Sequence, residues 1–503
     1  IASSSMLARH VILIVCSVSV VRCYNSLPWE HINIAEHQRP CLQHKFNQTK
    51  KDKPKCWGYE AGCDELSRYE PRWPRDCETH ELWRFWEQGD FGYVRNRLNE
   101  LEQLQICKPR KNDVTKSSMN CTGRLQFCQA RDIFLDLRHP RSTKWPRHPD
   151  DVLMADEVGG NCDVDKEALS RQYTQGLNGG LRAWYSELRH FTDVTDPQCD
   201  LFIDKPVVFM KLDQGNNMYH KFCGFFNLYI SMHVNGSLDF NDDFMIINWD
   251  WSNVPYNNYF EASWSAFSKH QVGHIRDWFG KRVCFKSAVF SFLPRMLLGL
   301  FYNAMLGENC SGSGMMKSFS QFFLHRMNVT QKGPIPGKIR VTFLQRSTKP
   351  DYLGKVYRQI VNEKDLIKVL NNIPGFQVKV VEYHQDTMSF KDQISMSHNS
   401  DIMIGMHGAG LTHFLFLPPW AVAFELYNCQ AKCYRDLARL RGVRHMTWSR
   451  DDKLTTHNAR ERERDPENRR YWNFSFDLEE FRRLVLEARD YVLQELGRVH
   501  TEL

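Results

Sequence analysis

The sequence predicts an α/β protein of two lobes, with a disulfide-rich N-terminal extension in front and an amphipathic helix at the end. Three observations predict it. After the breaker Gly333-Pro-Ile-Pro-Gly337, short apolar runs alternate regularly with helical segments. Two strand-like runs, Pro206 to Leu212 and Phe244 to Trp249, stand before that breaker, and the cysteines are front-loaded. A chain of 503 residues with 42% hydrophobic content exceeds one compact core, so each lobe is expected to bury its own. The formal net charge of +7 is spread along the chain, and charge alone points to no nucleic-acid partner.

Residues 1–23 read as a secretory signal: Met6 as the start after extra leading residues 1–5, Arg9 and His10 as the basic flank, Val11 to Val21 as the apolar stretch. That run is too short to span a membrane, and no later uncharged run of about 20 apolar residues follows, so no span is expected in the mature chain. Of 16 cysteines, Cys16 and Cys23 fall in the signal and leave an even fourteen, which in a signal-bearing chain favours disulfides. Cys41, Cys56, Cys63 and Cys77 lack the paired spacing of a zinc site. Sequons at Asn47, Asn120, Asn235, Asn309, Asn328 and Asn473 fit the same compartment. The end His500-Thr-Glu-Leu503 keeps the Glu-Leu of an endoplasmic reticulum retention signal, so the lumen of that compartment is the expected location.

Residues 24–151 form the cysteine-rich extension, in which 80–104 carry an imperfect helical stripe. Residues 152–332 form the first lobe, with a helix expected from Lys221 to His233. Residues 333–475 form the second, with strands at Ile339–Leu344, Gln377–Val381, Ile402–Ile404, Ala421–Leu426 and Val443–Trp448. Helices are expected between them near Glu363–Leu370, Ser389–Ser397, Gly410–Leu417 and Ala431–Leu440. Apolar strands spaced by helices imply a parallel sheet covered on both faces, a Rossmann-like lobe. The charged stretch 449–470 reads as a solvated loop, and 476–503 as a closing helix and tail with Phe481, Leu484, Val485, Ala488, Tyr491 and Val492 on one face.

In such a sheet ligands sit beyond the carboxyl ends of the strands. The third strand runs into Gly405-Met-His-Gly-Ala-Gly410 and then Leu411, where glycines let backbone approach a phosphate and the next helix offers N–H groups. A tight turn without ligand reads equally well from the loop alone. The first strand ends at Arg346, Ser347 and Thr348, a guanidinium and two hydroxyls suited to a pyrophosphate. The fourth ends at Glu425, which could hold a ribose or cap a helix. Three strand ends on one rim point to a nucleoside diphosphate.

The run Ser400-Asp-Ile-Met-Ile-Gly-Met-His-Gly-Ala-Gly-Leu-Thr-His-Phe-Leu-Phe-Leu-Pro418, with Phe424-Glu-Leu-Tyr-Asn-Cys429, resembles the EGF-domain-specific O-linked N-acetylglucosamine transferases of glycosyltransferase family 61. Cys433 to Gly442, Phe209 to Asp213, Asn217 to His220, Pro294 to Met296 and Gly299 to Asn303 resemble them too. The resemblance implies a GT-B-like fold of two Rossmann-like lobes. It also implies an inverting enzyme that moves N-acetylglucosamine from UDP-GlcNAc to Ser or Thr hydroxyls of EGF repeats. Relatives carry an Asp-Tyr-Asp triplet where this chain has Ser268-Lys-His-Gln271, which leaves divalent-metal dependence open. Asp163-Val-Asp165 stands just before a helix and reads as its cap. Arg346 and helix N–H groups can offset the charge of departing UDP, so the chemistry requires no cofactor.

Inversion needs a base from the first lobe. His220 and then Asp213, at a strand end and helix start, are the candidates, and His407 is a candidate donor to the leaving phosphate or the sugar. The competing readings are transfer of another UDP-sugar on the same fold, to O-mannose or as xylose, and an inactive lumenal module that binds EGF repeats.

Overall fold

The computed structural model describes residues 91–111, 116–139, 152–177, 180–213, 217–234, 242–249, 258–297, 299, 301, 313–347, 357–384, 386–427, 431–457 and 472–501. The expected signal, Cys41 to Cys77, Thr348 and the last two residues lie outside that set.

Eleven strands form the first sheet. They are β1 (Gln105–Lys108), β2 (Ser118–Cys121), β3 (Cys128–Asp136), β4 (Val158–Gly160), β5 (Asp163–Val164), β6 (Thr192–Asp193), β7 (Leu201–Ile203), β8 (Val207–Met210), β9 (Met245–Asn248), β10 (Gly273–His274) and β11 (Arg282–Phe290). The central strand β11 is parallel to β7 and β8 on one side and antiparallel to β3 along its length on the other. The β8, β9, β10 side is parallel while β1, β2, β3 and β11 pair antiparallel, so the first lobe is a mixed sheet and not the Rossmann-like unit expected. The cause lies in the cysteine-rich segment, which supplies the antiparallel half of the sheet instead of packing onto it. Disulfides Cys107–Cys162 and Cys121–Cys128 tie β1 and β2 to that half, and Cys199–Cys284 fastens the start of β7 to β11. A boundary at 151 therefore cuts through one sheet.

The second sheet has β12 (Ile339–Leu344), β13 (Phe376–Val381), β14 (Ile402–Gly405), β15 (Val422–Glu425) and β16 (Arg444–Thr447), all parallel, in the order β13-β12-β14-β15-β16. The chain steps out from β12 to β13 and returns to β14 on the other side of β12. The topological switch point, where open parallel sheets bind ligands, thus falls between the carboxyl ends of β12 and β14. A short antiparallel pair, β17 (Leu454–His457) and β18 (Asn473–Phe476), brackets part of the expected charged loop.

Strand parity decides which core each side chain enters. Val208, Met210 and Ile246 of the first sheet, with Met403 and Ala423 of the second, face one shared core. Val207, Phe209 and Ile247 face the outer core of the first lobe, and Ile402, Ile404, Val422 and Phe424 that of the second. The shared core is filled by helices labelled here α1 (Phe91–Gln103), α4 (Met218–Val234), α5 (Gly314–Arg326), α7 (Phe390–His398) and α8 (Cys433–Arg441), and by the 3-10 helix Ala409–Phe416. Two short helices, α2 (Lys166–Arg171) and α3 (Tyr185–Leu188), edge the first lobe, and α6 (Glu363–Asn371) covers the second. The lobes are thus joined by a common apolar layer.

Every residue of α4 is buried except His220. A helix buried on all sides belongs between layers, and its one opening is where chemistry has a reason to be. The last helix, α9 (Leu478–Thr501), lays Phe481, Leu484, Val485, Ala488 and Val492 into the second lobe's outer core.

Candidate active site

Two clusters of polar side chains form at the carboxyl ends of the two sheets. In the first lobe the chain leaves β8 through Lys211 and Leu212 to Asp213. Asn217 opens α4, its Oδ1 accepting the Tyr219 N–H at 3.0 Å, which sets His220 in the first turn. His220 Nδ1 lies 2.5 Å from Asp213 Oδ2. Arg295, in the loop after β11, donates to the same carboxylate from Nε at 2.8 Å and from Nη2 at 3.0 Å. Burial would raise the Asp213 carboxyl, but the bonds from His220 and Arg295 outweigh it and hold the group below the usual carboxylate range. Both candidate bases are therefore in contact, with Asp213 as the buried, ionised partner of His220. Arg295 stands in the run Pro294 to Met296, where no local pattern marks it as a partner of Asp213.

The second cluster surrounds the switch point. Arg346 donates from Nε to the Tyr357 carbonyl at 3.1 Å and from Nη1 to the His407 carbonyl at 3.0 Å. Arg358 donates to that His407 carbonyl as well, at 3.0 Å. Both guanidinium groups stack on the Tyr357 ring, 5.9 and 4.8 Å from its centre. Arg358 holds a left-handed backbone, φ 59°, a conformation that side-chain-bearing residues keep only where the surroundings impose it. Nothing in the sequence singled it out, because the stretch between it and Arg346 carries no pattern.

The loop from Gly405 to Gly410 runs beneath these arginines. A Cβ on Gly408 would stand 2.4 Å from Arg346 Nη1, so the absent side chain is what lets the guanidinium approach. The 3-10 helix opens at Ala409, and its first bond is Leu411 N–H to Gly408 C=O, which leaves the Ala409 and Gly410 N–H groups ahead of the helical ladder. Leu411, expected at the ligand, is fully buried, and its side chain packs the loop against Gly405. Ser347 stays at the rim, its carbonyl accepting from Gln359 at 3.2 Å.

Glu425 requires a larger correction. Its side chain is fully buried, with Oε1 2.7 Å from His407 Nδ1 and Oε2 3.1 Å from His445 Nε2. Two imidazoles hold the carboxylate, and the buried side chain presents no exposed surface to a ribose. Burial works to raise its pKa, yet the His407 and His445 contacts win and lower it. Parity explains the position: Glu425 follows Ala423 on the inner face, and His445, paired with Ala423 across β16, shares that face.

Tyr434 of α8 links the two clusters. Its ring lies 5.0 Å from His407 and 5.6 Å from Tyr219, the neighbour of His220. A first-lobe imidazole on a carboxylate and a second-lobe loop under two guanidinium groups thus lie on either side of the Tyr434 ring.

The family model for glycosyltransferase 61 matches residues 188–424, a span that begins in α3 and ends in β15. The chain is 43% identical over 488 residues to the EGF domain-specific O-linked N-acetylglucosamine transferase of Xenopus laevis, covering 93% of this chain and 90% of that one. It is 45% identical to the protein of that name from Bos taurus, over 87% and 83% of the two chains, and 38% identical to that of Drosophila melanogaster, over 93% and 91%. The chain belongs to this transferase family. The likeness covers about nine-tenths of the chain and so spans both lobes.

Among the described residues no three His, Cys, Asp or Glu side chains gather as metal ligands. At Ser268-Lys-His-Gln271, Lys269 and His270 bind Asp243 at 3.2 and 2.7 Å, alongside Lys205 at 2.5 Å, which makes the segment a cationic clamp on one carboxylate. Asp165 caps α2, its Oδ1 accepting the Ala168 N–H at 2.8 Å, as expected of a helix cap. No described helix is long and apolar enough to cross a membrane.

Proposed function

We propose that the chain transfers N-acetylglucosamine from UDP-GlcNAc, with inversion, to Ser or Thr hydroxyls of folded EGF repeats. The observation that carries the reading is the pairing, across Tyr434, of a carboxylate-held imidazole with a glycine loop under Arg346 and Arg358. Membership in a family whose relatives carry one name, from amphibian to fly, favours GlcNAc over xylose and transfer over an inactive EGF-binding module. We read the two-lobed arrangement as GT-B-like, with the acceptor on the first lobe and the donor on the second.

In the reaction the acceptor oxygen attacks the anomeric carbon from the face opposite UDP. Its proton passes to Nε2 of His220, whose Nδ1 is turned to Asp213. The bond from the anomeric carbon to the phosphate oxygen breaks, and its electron pair leaves on UDP. Arg346, Arg358 and the Ala409 and Gly410 N–H groups offset that charge in a low-dielectric crevice. His407 stands between two negative groups, Glu425 and the diphosphate, and its Nε2 meets the departing oxygen. These groups supply the charge stabilisation from protein alone, and we propose that no divalent metal is required. The three disulfides in the first lobe support residence in an oxidising compartment, which we take to be the lumen of the endoplasmic reticulum.

A His220→Ala variant tests the crevice: transfer to an EGF repeat should fall at least about 100-fold while UDP still binds. Transfer at the wild-type rate would remove His220 from the reaction.

A further inference from the structure

A buried carboxylate must satisfy its lone pairs, and Glu425 does so with one imidazole on each oxygen. The His407 ring needs that arrangement. Its backbone is fixed where Arg346 and Arg358 both donate to its carbonyl, and its ring packs against Tyr434, while the ring's own hydrogen bond among the described residues is to Glu425. A carboxylate held at only one oxygen can rotate and offer either oxygen to either neighbour. His445, on the strand beside Glu425, removes that freedom by taking Oε2. Oε1 is then left for the Nδ1–H of His407, and Nε2 is the ring atom available to a ligand. His445 is itself nine-tenths buried, with a side-chain exposure of 10%, and lies inward of the strand ends, so it acts through Glu425 and not on substrate.

We propose that His445 is a positioning residue for the transfer: by holding Oε2 of Glu425 it fixes the tautomer and orientation of His407, so that Nε2 of His407 meets the departing phosphate. The proposal rests on the reading of His407 given above. The other charged and titratable groups around this relay are Arg346, Arg358 and Tyr434, and the Tyr434 phenol is driven well above its ordinary value by burial, which keeps it neutral. None of them reaches the Glu425 carboxylate in place of His445.

The test compares wild type, His407→Ala, His445→Phe, His445→Gln, His445→Asn and the His407→Ala/His445→Phe double variant. Each is assayed for transfer from UDP-GlcNAc to a folded EGF repeat, for UDP affinity and for melting temperature. His445→Phe should lower kcat about tenfold with KM for the donor changed less than about threefold, as removal of a supporting hydrogen bond does. His445→Gln, whose amide N–H stands where Nε2–H was, should recover most of that rate, whereas the shorter His445→Asn should not. In the His407→Ala background, His445→Phe should cost less than about twofold more, because the two act as one unit.

An unchanged kcat in His445→Phe overturns the proposal, as does a further loss of about tenfold when His445→Phe is added to His407→Ala. If His445→Phe does not fold, the Gln and Asn pair decides: equal rates in both overturn it. Full transfer by His407→Ala is a separate result, which removes the reading of His407 itself.

Discussion

Alanine at two glycines of one loop should separate ligand binding from folding. At Gly408 the backbone is extended, so an added Cβ brings no conformational strain, but it would sit 2.4 Å from Arg346 Nη1. The next nearest atom beyond that guanidinium is the Met406 carbonyl at 3.9 Å, so the only group forced to move is the end of a flexible side chain. Arg346 then loses its bond to the His407 carbonyl, which keeps Arg358, and the fold should lose less than about 1 kcal/mol. The donor loses one charge-assisted contact of about 1.5–3 kcal/mol, so UDP should bind about 10- to 100-fold more weakly. At Gly410 the added Cβ would meet Leu344 Cδ2 at 2.8 Å in the shared core, where overpacking costs about 1–3 kcal/mol. Calorimetric UDP titration and thermal unfolding of both variants read the two effects. Gly408→Ala should lose affinity and keep its melting temperature, and Gly410→Ala should lose stability. Wild-type UDP affinity in a folded Gly408→Ala protein would refute the placement of Arg346 at the phosphates.

Asp165→Ala should cost about 1 kcal/mol of stability by uncapping α2 and leave transfer and its EDTA response as they were, whereas loss of transfer would make the Asp163-Val-Asp165 segment part of the site. His413 is pushed down to about 3 by burial, so the folded protein stays neutral there while the unfolded chain takes up a proton below about pH 6.5. Stability should therefore fall as pH drops from about 6.5, and His413→Gln should flatten that fall by about 2 kcal/mol at pH 5. Urea unfolding across that range reads it, and equal slopes for both proteins would show that His413 is not the buried neutral group.

The second lobe was legible because each of its elements announces itself locally. Ile339–Leu344 alternates, with Ile339, Val341 and Phe343 on one face, and is bounded as the sequence reads it, and Gly405 to Gly410 lies where a strand must turn into a helix. Arg346 was legible for the same reason, as a cation at a strand end. Glu425 stands at a strand end that reads as rim, although parity counted from Ala423 turns it inward toward His445. Arg295 and Arg358 come to the site from loops whose path depends on the whole fold, so no local pattern marks them. The antiparallel half of the first sheet was missed because disulfide-tied strands such as Ser118–Cys121 are too short for periodicity to show.

Mass spectrometry of a purified, disulfide-bonded EGF repeat, incubated separately with UDP-GlcNAc, UDP-xylose and UDP-glucose, with and without EDTA, tests the central claim most directly. The account predicts one N-acetylhexosamine added from UDP-GlcNAc alone, and added equally with EDTA present. Transfer of xylose or glucose in its place, or UDP binding with no transfer from any donor, would contradict it.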